Sequence, residues 1–142
     1  MVTASQRADS HLTLNKTKLT GMFDFEKLAV YGKAKAYNTK VNRYLSAVSL
    51  DRTTNDQLRR ASFSIMLNIA EGTGRFTKAD KRNFYIISRG SVFECVAIFD
   101  YLREIEVINE NQFCEFYNEL DEMSRMLFGM IKTLAPENAK QF

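Results

Sequence analysis

The sequence predicts an all-α protein, an antiparallel up-down four-helix bundle, on three observations. Glycine and proline are scarce, at six and one in 142 residues. No stretch shows the two-residue alternation of a half-buried strand, and four segments carry apolar residues at helical steps of three and four. The length suits one domain with a single hydrophobic core. Residues 23–135 are expected to form the bundle, between a polar N-terminal arm over 1–22 and a C-terminal tail over 136–142. No internal repeat is present.

The first helix is expected to open with Asp24 as N-cap and Phe23 with Leu28 as a hydrophobic staple, and to run to about Ser49. Its apolar stripe is Val30, Ala34, Tyr37, Val41, Tyr44 and Val48. The second opens at Thr54 with Gln57 at capping-box spacing, carries Leu58, Ala61, Ile65, Ile69 and Gly72, and ends at Gly72 and Gly74. The third and longest starts after Thr77, with Phe84, Ile87, Ser91, Cys95, Ile98, Leu102 and Ile105 as its seam. The fourth is capped by Asn109 with Gln112 and stapled by Ile108 and Phe113. Phe116, Leu120, Met123, Leu127, Met130 and Leu134 line it, and it stops before Pro136. Short connections make neighbours antiparallel.

Composition excludes several classes. At 45% hydrophobic and 26% charged, the chain has ordinary globular usage. The uncharged run Ala61–Ala70 is too short to span a bilayer, and the polar start is not a signal peptide, so no membrane partner and a cytoplasmic location are expected. Cys95 and Cys114 sit within apolar patterns and are expected to be small buried hydrophobes, not a disulfide pair. The single histidine, His11, lies in the polar arm, so His-dependent triads and Glu-x-x-His di-metal helices cannot be built. Glu71-Gly72-Thr73-Gly74-Arg75 lacks the Lys-Ser/Thr ending and preceding strand of a phosphate loop and reads as a helix end. Glu115, Glu119, Asp121 and Glu122 spread over the polar face of the fourth helix, as solubility demands. No catalytic residue, metal or cofactor is expected.

Two helices carry more apolar surface than a monomeric bundle needs. Apolar side chains from Val92 to Phe99 cover every direction of the third helix, and Phe63, Met66 and Leu67 point away from the stripe of the second. Either these helices sit centrally in a thick core, or Phe63, Met66, Leu67, Phe93, Val96 and Phe99 form a subunit interface, the reading favoured here.

Charge is unevenly distributed. From Lys27 to Arg89 there are 13 lysines and arginines against four acids, whereas from Gly90 onward there are four against ten. Lys33, Lys40 and Arg43 fall in one sector of the first helix beside its apolar stripe, with Lys35 nearby. Arg59 and Arg60 follow, then Arg75, Lys78, Lys81 and Arg82 around the turn into the third helix. Together these are candidate phosphate contacts for nucleic acid. The same charges could instead pair with the acidic fourth helix of the same or a neighbouring subunit.

Phe25-Glu26-Lys27-Leu28 with Val30-Tyr31, Gln57-Leu58-Arg59-Arg60-Ala61, Asn68-Ile69-Ala70-Glu71-Gly72 with Gly74-Arg75, and Arg89-Gly90-Ser91 form an ordered set over about Phe23 to Leu134. The set resembles the bacterial four-helix-bundle family of ribosomal-RNA intervening-sequence proteins. Within that family it is most similar to the accessory variability determinants of phage diversity-generating retroelements. The resemblance implies a ring-shaped homo-oligomer, a homopentamer, that binds RNA and DNA and partners a reverse transcriptase in mutagenic copying. One departure is Ser-Phe-Ser-Ile-Met before Asn68, bulkier than the usual alanine-rich version. The other reading is a protein-protein scaffold associated with ribosomal RNA or ribosomes, without direct nucleic-acid binding. Asn68, Glu71 and Ser91, beside apolar faces, are expected in hydrogen-bonded structural roles. Gly90 is expected at a close helix contact. Arg59, Arg60 and Arg89 suit interface salt bridges and phosphate equally.

Overall fold

A computed structural model describes residues 23–139; the polar arm (1–22, His11 included) and residues 140–142 lie outside the described residues. Four helices, and no strand among the described residues, account for the fold: α1 (Ala29–Ala47), α2 (Arg52–Thr73), α3 (Lys78–Glu104) and α4 (Glu110–Thr133), with short 3-10 turns at Asp24–Lys27 and Glu137–Ala139. Hydrogen bonds fix the directions. Asn38 donates to the Ser62 carbonyl and Arg59 to Asn42, so α2 descends as α1 rises. Ser88 donates to the Ile65 carbonyl and Ser91 to Ser64, which reverses α3 on α2. Arg89 reaches the Ser124 carbonyl and Arg103 reaches Glu110, while Lys33 reaches Glu122 and Lys40 reaches Glu119, so α4 is antiparallel to both α3 and α1. The bundle is therefore up-down and closed.

The four helix starts differ in how well they were foreseen. Thr77 caps α3 by accepting from the Asp80 amide, and Asn109 with Gln112 forms the expected capping box of α4. The second helix begins earlier than expected: Asp51, not Thr54, is its N-cap, with its carboxylate accepting from the Thr54 amide at 2.9 Å. Thr54 is instead the residue whose orphan N–H that carboxylate satisfies. Asp24 caps nothing either. It opens the 3-10 turn, in which Glu26 accepts from the Phe23 amide, and extended Leu28 separates that turn from α1, whose last residue is Ala47 rather than Ser49.

The stripes of α1, α2 and α4 pack inward almost as predicted. Val30, Ala34, Tyr37, Val41 and Tyr44 meet Leu58, Ala61, Ile65 and Ile69 on one side, and Phe116, Leu120, Met123 and Leu127 on the other. In α4 the inner face swings to Phe113 and Ile131, leaving Met130 and Leu134 partly buried. The third helix is rotated from its predicted seam. Tyr85, Ser88, Ser91, Val92, Cys95, Phe99 and Leu102 face inward, whereas Ile87 and Ile105 are exposed. A helix apolar on all sides offers periodicity no preferred face, and small residues decide the matter: Ser88, Ser91 and Cys95 let α3 lie against Ser62, Ser64 and Gly72 of α2. At Gly72 a Cβ would stand 2.7 Å from the Phe84 Cβ, so only glycine fits. Cys95 is buried as expected, but Cys114 is exposed on α4, one residue outside the inward stripe.

Candidate functional site

The first helix was expected to offer a cationic strip, and the structure shows most of that charge engaged within the chain. The Lys33 ammonium lies 2.9 Å from Glu122, and that of Lys40 lies 2.7 Å from Glu119 and 3.6 Å from Glu115. Lys40 also stands 5.4 Å from the centroid of the Phe116 ring. Its hydrogen bond to Glu119 raises its pKa above the ordinary lysine value. The acidic residues of α4 are thus partners of α1, beyond a solubilising role. Lys35 stands over Tyr31, and Arg43 is exposed with no ion pair among the described residues.

The other basic candidates do not join this strip. Arg59 donates to Asn55 and Asn42, while Arg60 beside it is exposed. At the α2–α3 turn, Arg75 pairs with Glu71 at 2.8 Å and lies over Phe84, and Lys81 donates to the Thr73 carbonyl. Lys78 is exposed, and the Nε of Arg82 is shielded from solvent without a hydrogen-bond partner. Phe76, which the sequence reading passed over, is fully exposed at this turn.

The apolar candidates divide. Phe63 and Leu67 are 52% and 48% exposed and line a groove of about 640 Å³ between α1 and α2, with Arg59, Arg60, Asn42 and Glu71 at its rim. Met66 is half-buried against the core. Phe93 is 55% exposed and, with half-buried Val96, lines a groove of about 830 Å³ between α3 and α4. Phe99 is not an interface residue. It is 1% exposed and stacked on Phe116 at 4.4 Å between ring centroids, because the rotation of α3 turns it into the core.

Asn68 and Ser91 have the expected structural roles: Asn68 donates to the Ser64 carbonyl and hydroxyl, and Ser91 donates to the same hydroxyl. Glu71 differs, being exposed and paired with Arg75. Gly90 also differs, since a Cβ there would meet nothing within 4 Å and no helix packs against it. Arg89 spans the α3–α4 seam, its guanidinium over the rings of Phe93 and Phe128 and its Nε donating to the Ser124 carbonyl. Ile86 and Phe128, each 40% exposed, extend the apolar surface of that flank and were missed. Their signal was present, since Ile86, Phe93 and the far side of α4 are apolar positions that a monomeric core leaves unused. Among the described residues no group of three or more His, Cys, Asp or Glu is placed to hold a metal ion. No helix among them is long and apolar enough to cross a membrane.

A family model described as 23S rRNA-intervening sequence protein matches residues 26–129, well over half of the chain. Among solved structures, a protein of unknown function from the S23 ribosomal protein family of Bacteroides thetaiotaomicron is similar at 21% identity and a TM-score of 0.69. The match covers 73% of this chain and 99% of that one. No curated protein matches. Neither description mentions a retroelement, a reverse transcriptase or DNA.

Proposed function

From the premise that this chain belongs to the 23S rRNA-intervening sequence protein family, we propose that it is a non-catalytic, self-associating scaffold associated with ribosomal RNA or ribosomes, acting through protein surfaces. The observation that carries this reading is the engagement of Lys33 and Lys40 by Glu122, Glu119 and Glu115 of the same chain. A strip whose ammonium groups already sit against carboxylates has little field left for a phosphate backbone, which binds by releasing counterions from free cations. Large apolar side chains are exposed as well, among them Phe63, Leu67 and Phe93. The α1–α2 groove and the α3–α4 groove are chemically unlike and lie on different flanks of the bundle. Two unlike patches on one subunit can associate head to tail, and such contacts form a ring where the rotation between subunits closes. A ring-shaped homo-oligomer, of which a pentamer is one instance, is the assembly this arrangement supports.

Light scattering on the purified protein, together with titration of a labelled RNA and a DNA duplex at low and rising salt, tests both halves. The expected result is a closed oligomer with no measurable affinity for either nucleic acid. Phe63→Glu with Leu67→Glu should give folded monomers. A monomeric mass for the parent protein overturns the scaffold reading.

One observation favours a second reading. Fully exposed Phe76 stands next to Arg75 and two residues before exposed Lys78, and aromatic rings beside cations are how single-stranded nucleic acid is held. In that reading the turn binds RNA or DNA, the function expected of a partner of a retroelement reverse transcriptase. Salt-sensitive binding abolished by Phe76→Ala would replace the first reading with this one.

A further inference from the structure

A smaller cleft, of about 330 Å³, adjoins the α3–α4 groove, with which it shares Arg89 and Phe93, and is lined by Arg82, Arg89, Lys132 and Gly90 with apolar side chains around them. Its three cations lack, among the described residues, the carboxylate partners that seven other basic residues have. Lys27, Lys33, Lys40, Arg52, Arg75, Arg103 and Arg125 each have a carboxylate within 4.0 Å. Arg82, Arg89 and Lys132 have none among the described residues, and no aspartate or glutamate lines the cleft. Three cations held together without a counter-charge favour an anionic occupant.

One of the three is also prepared for such an occupant. Arg89 is held by the Ser124 carbonyl and by contact with Phe93 and Phe128, which fixes its plane while using only its Nε among its donors. A fixed guanidinium loses less freedom on binding a carboxylate than a mobile lysine does. Gly90 opens the wall, since its missing side chain leaves clear space above the helix and lets another chain approach.

The apolar half of the cleft identifies the class of anion. Ile86, Phe93 and Phe128 are exposed in it, and Ile131 lies at its base. A nucleic acid would meet the cations and could stack on a ring, but it would leave the aliphatic side chains uncovered. A peptide with a carboxylate beside a leucine, isoleucine or phenylalanine satisfies both halves. We propose that this cleft is a docking site for a short acidic and apolar peptide segment of a protein partner. The proposal deepens the scaffold reading by naming the chemistry of what the scaffold holds.

The test is selection of random decapeptides displayed on phage against the folded protein, with counter-selection on Gly90→Leu, which fills the notch while improving helix propensity. The winning peptide and its Gln-for-Glu analogue are then measured by fluorescence anisotropy. Enrichment of Asp or Glu beside Leu, Ile or Phe is expected, with loss of binding to Gly90→Leu. Arg82→Gln with Lys132→Gln should weaken the peptide roughly tenfold, the Gln analogue should bind less well, and rising salt should weaken the complex. These charge variants keep the test decisive if Gly90→Leu misfolds. Peptides without acids, no enrichment, or undiminished binding to the variants would overturn the proposal. Displacement of the peptide by polyuridylate, with the same dependence on Arg82 and Lys132, would reassign the cleft to nucleic acid. Peptide binding by a protein that sizes as a monomer would sink the scaffold reading and leave this site standing.

Discussion

The Lys40 ammonium and the Glu119 carboxylate meet at 2.7 Å where α1 crosses the edge of α4, with Glu115 one turn away on the same helix. The charge asymmetry between the two halves of the sequence is thereby partly resolved inside the subunit. Lys40→Met should cost up to about 1 kcal/mol, the ordinary value of a partly exposed pair. Lys40→Glu should cost clearly more, because it sets a third carboxylate against two. Urea unfolding midpoints check this, and equal losses for the two variants would mean that the pair is not formed in solution.

The same pair predicts an alkaline weakness. The Glu119 hydrogen bond raises the Lys40 pKa in the folded state, so its contribution is complete below the unfolded lysine value of about 10.4. It is lost as pH climbs through the higher folded value. Melting temperatures of the parent protein should therefore fall at strongly alkaline pH, and part of that fall should be missing in Lys40→Met. A pH profile unchanged by the substitution would contradict the linkage.

Gly72→Ala should destabilise the protein by about 1–3 kcal/mol, the usual cost of overpacking, although alanine is the better helix former. The new methyl would press on the Phe84 Cβ at 2.7 Å and on the Tyr85 ring at 3.0 Å. Thermal melts of Gly72→Ala and Gly90→Ala make the contrast, since Gly90 has open space and its alanine variant should be neutral or stabilising.

Glu106 has φ of 61°, in the left-handed region. The Val107 amide donates to the Leu102 carbonyl and the Glu106 amide to that of Arg103, the bonding of a Schellman cap in which glycine is preferred at the Glu106 position. Glu106→Gly should therefore raise stability by about 1 kcal/mol, the cost of holding an L-residue there. A lower unfolding midpoint would refute it.

Thiol chemistry should separate the two cysteines. Burial pushes the Cys95 pKa up, and the side chain has no exposed surface, whereas Cys114 is exposed. An Ellman titration should register one fast thiol in the native protein and a second only on unfolding. Cys114→Ser should remove the fast one.

The helices of this fold are legible in the sequence because stripes such as Val30, Ala34, Tyr37, Val41 and Tyr44 have one apolar side and one polar side. Legibility fails at α3 for the opposite reason: with Ile86, Ile87, Phe93 and Ile98 apolar as well, no single rotation is marked, and Phe99 was assigned outward when it stacks on Phe116. For the basic strip the sequence left two readings open, phosphate contacts or pairing with the acidic fourth helix, and the second holds for Lys33 and Lys40. Charge counting sees Lys33 and Lys40 and, far along the chain, Glu119 and Glu122, but only the closed bundle brings them together. Asp51 was passed over as a cap because Thr54 with Gln57 mimics the capping-box spacing three residues later. The cleft has little sequence signature, since Arg82 and Arg89 stand two turns apart on α3 but Lys132 lies 50 and 43 residues further along the chain.

Within the interior, the Tyr37 hydroxyl, the Ser62 hydroxyl and the Cys95 thiol are linked in a row, and Ser88 is bonded to the Ile65 carbonyl beside them. Apolar side chains tolerate sliding past one another, but these groups do not: a shift of α3 along α2 by one turn, about 5.4 Å, would strand several polar atoms away from water at once. The row therefore acts as a ruler for the helix pair, selecting one alignment among several that would bury similar apolar area. Substituting Ser62 and Ser88 by alanine could leave the bundle just as stable while letting it sample neighbouring alignments, so the loss would show as broadened amide resonances before it showed as a lower melting temperature.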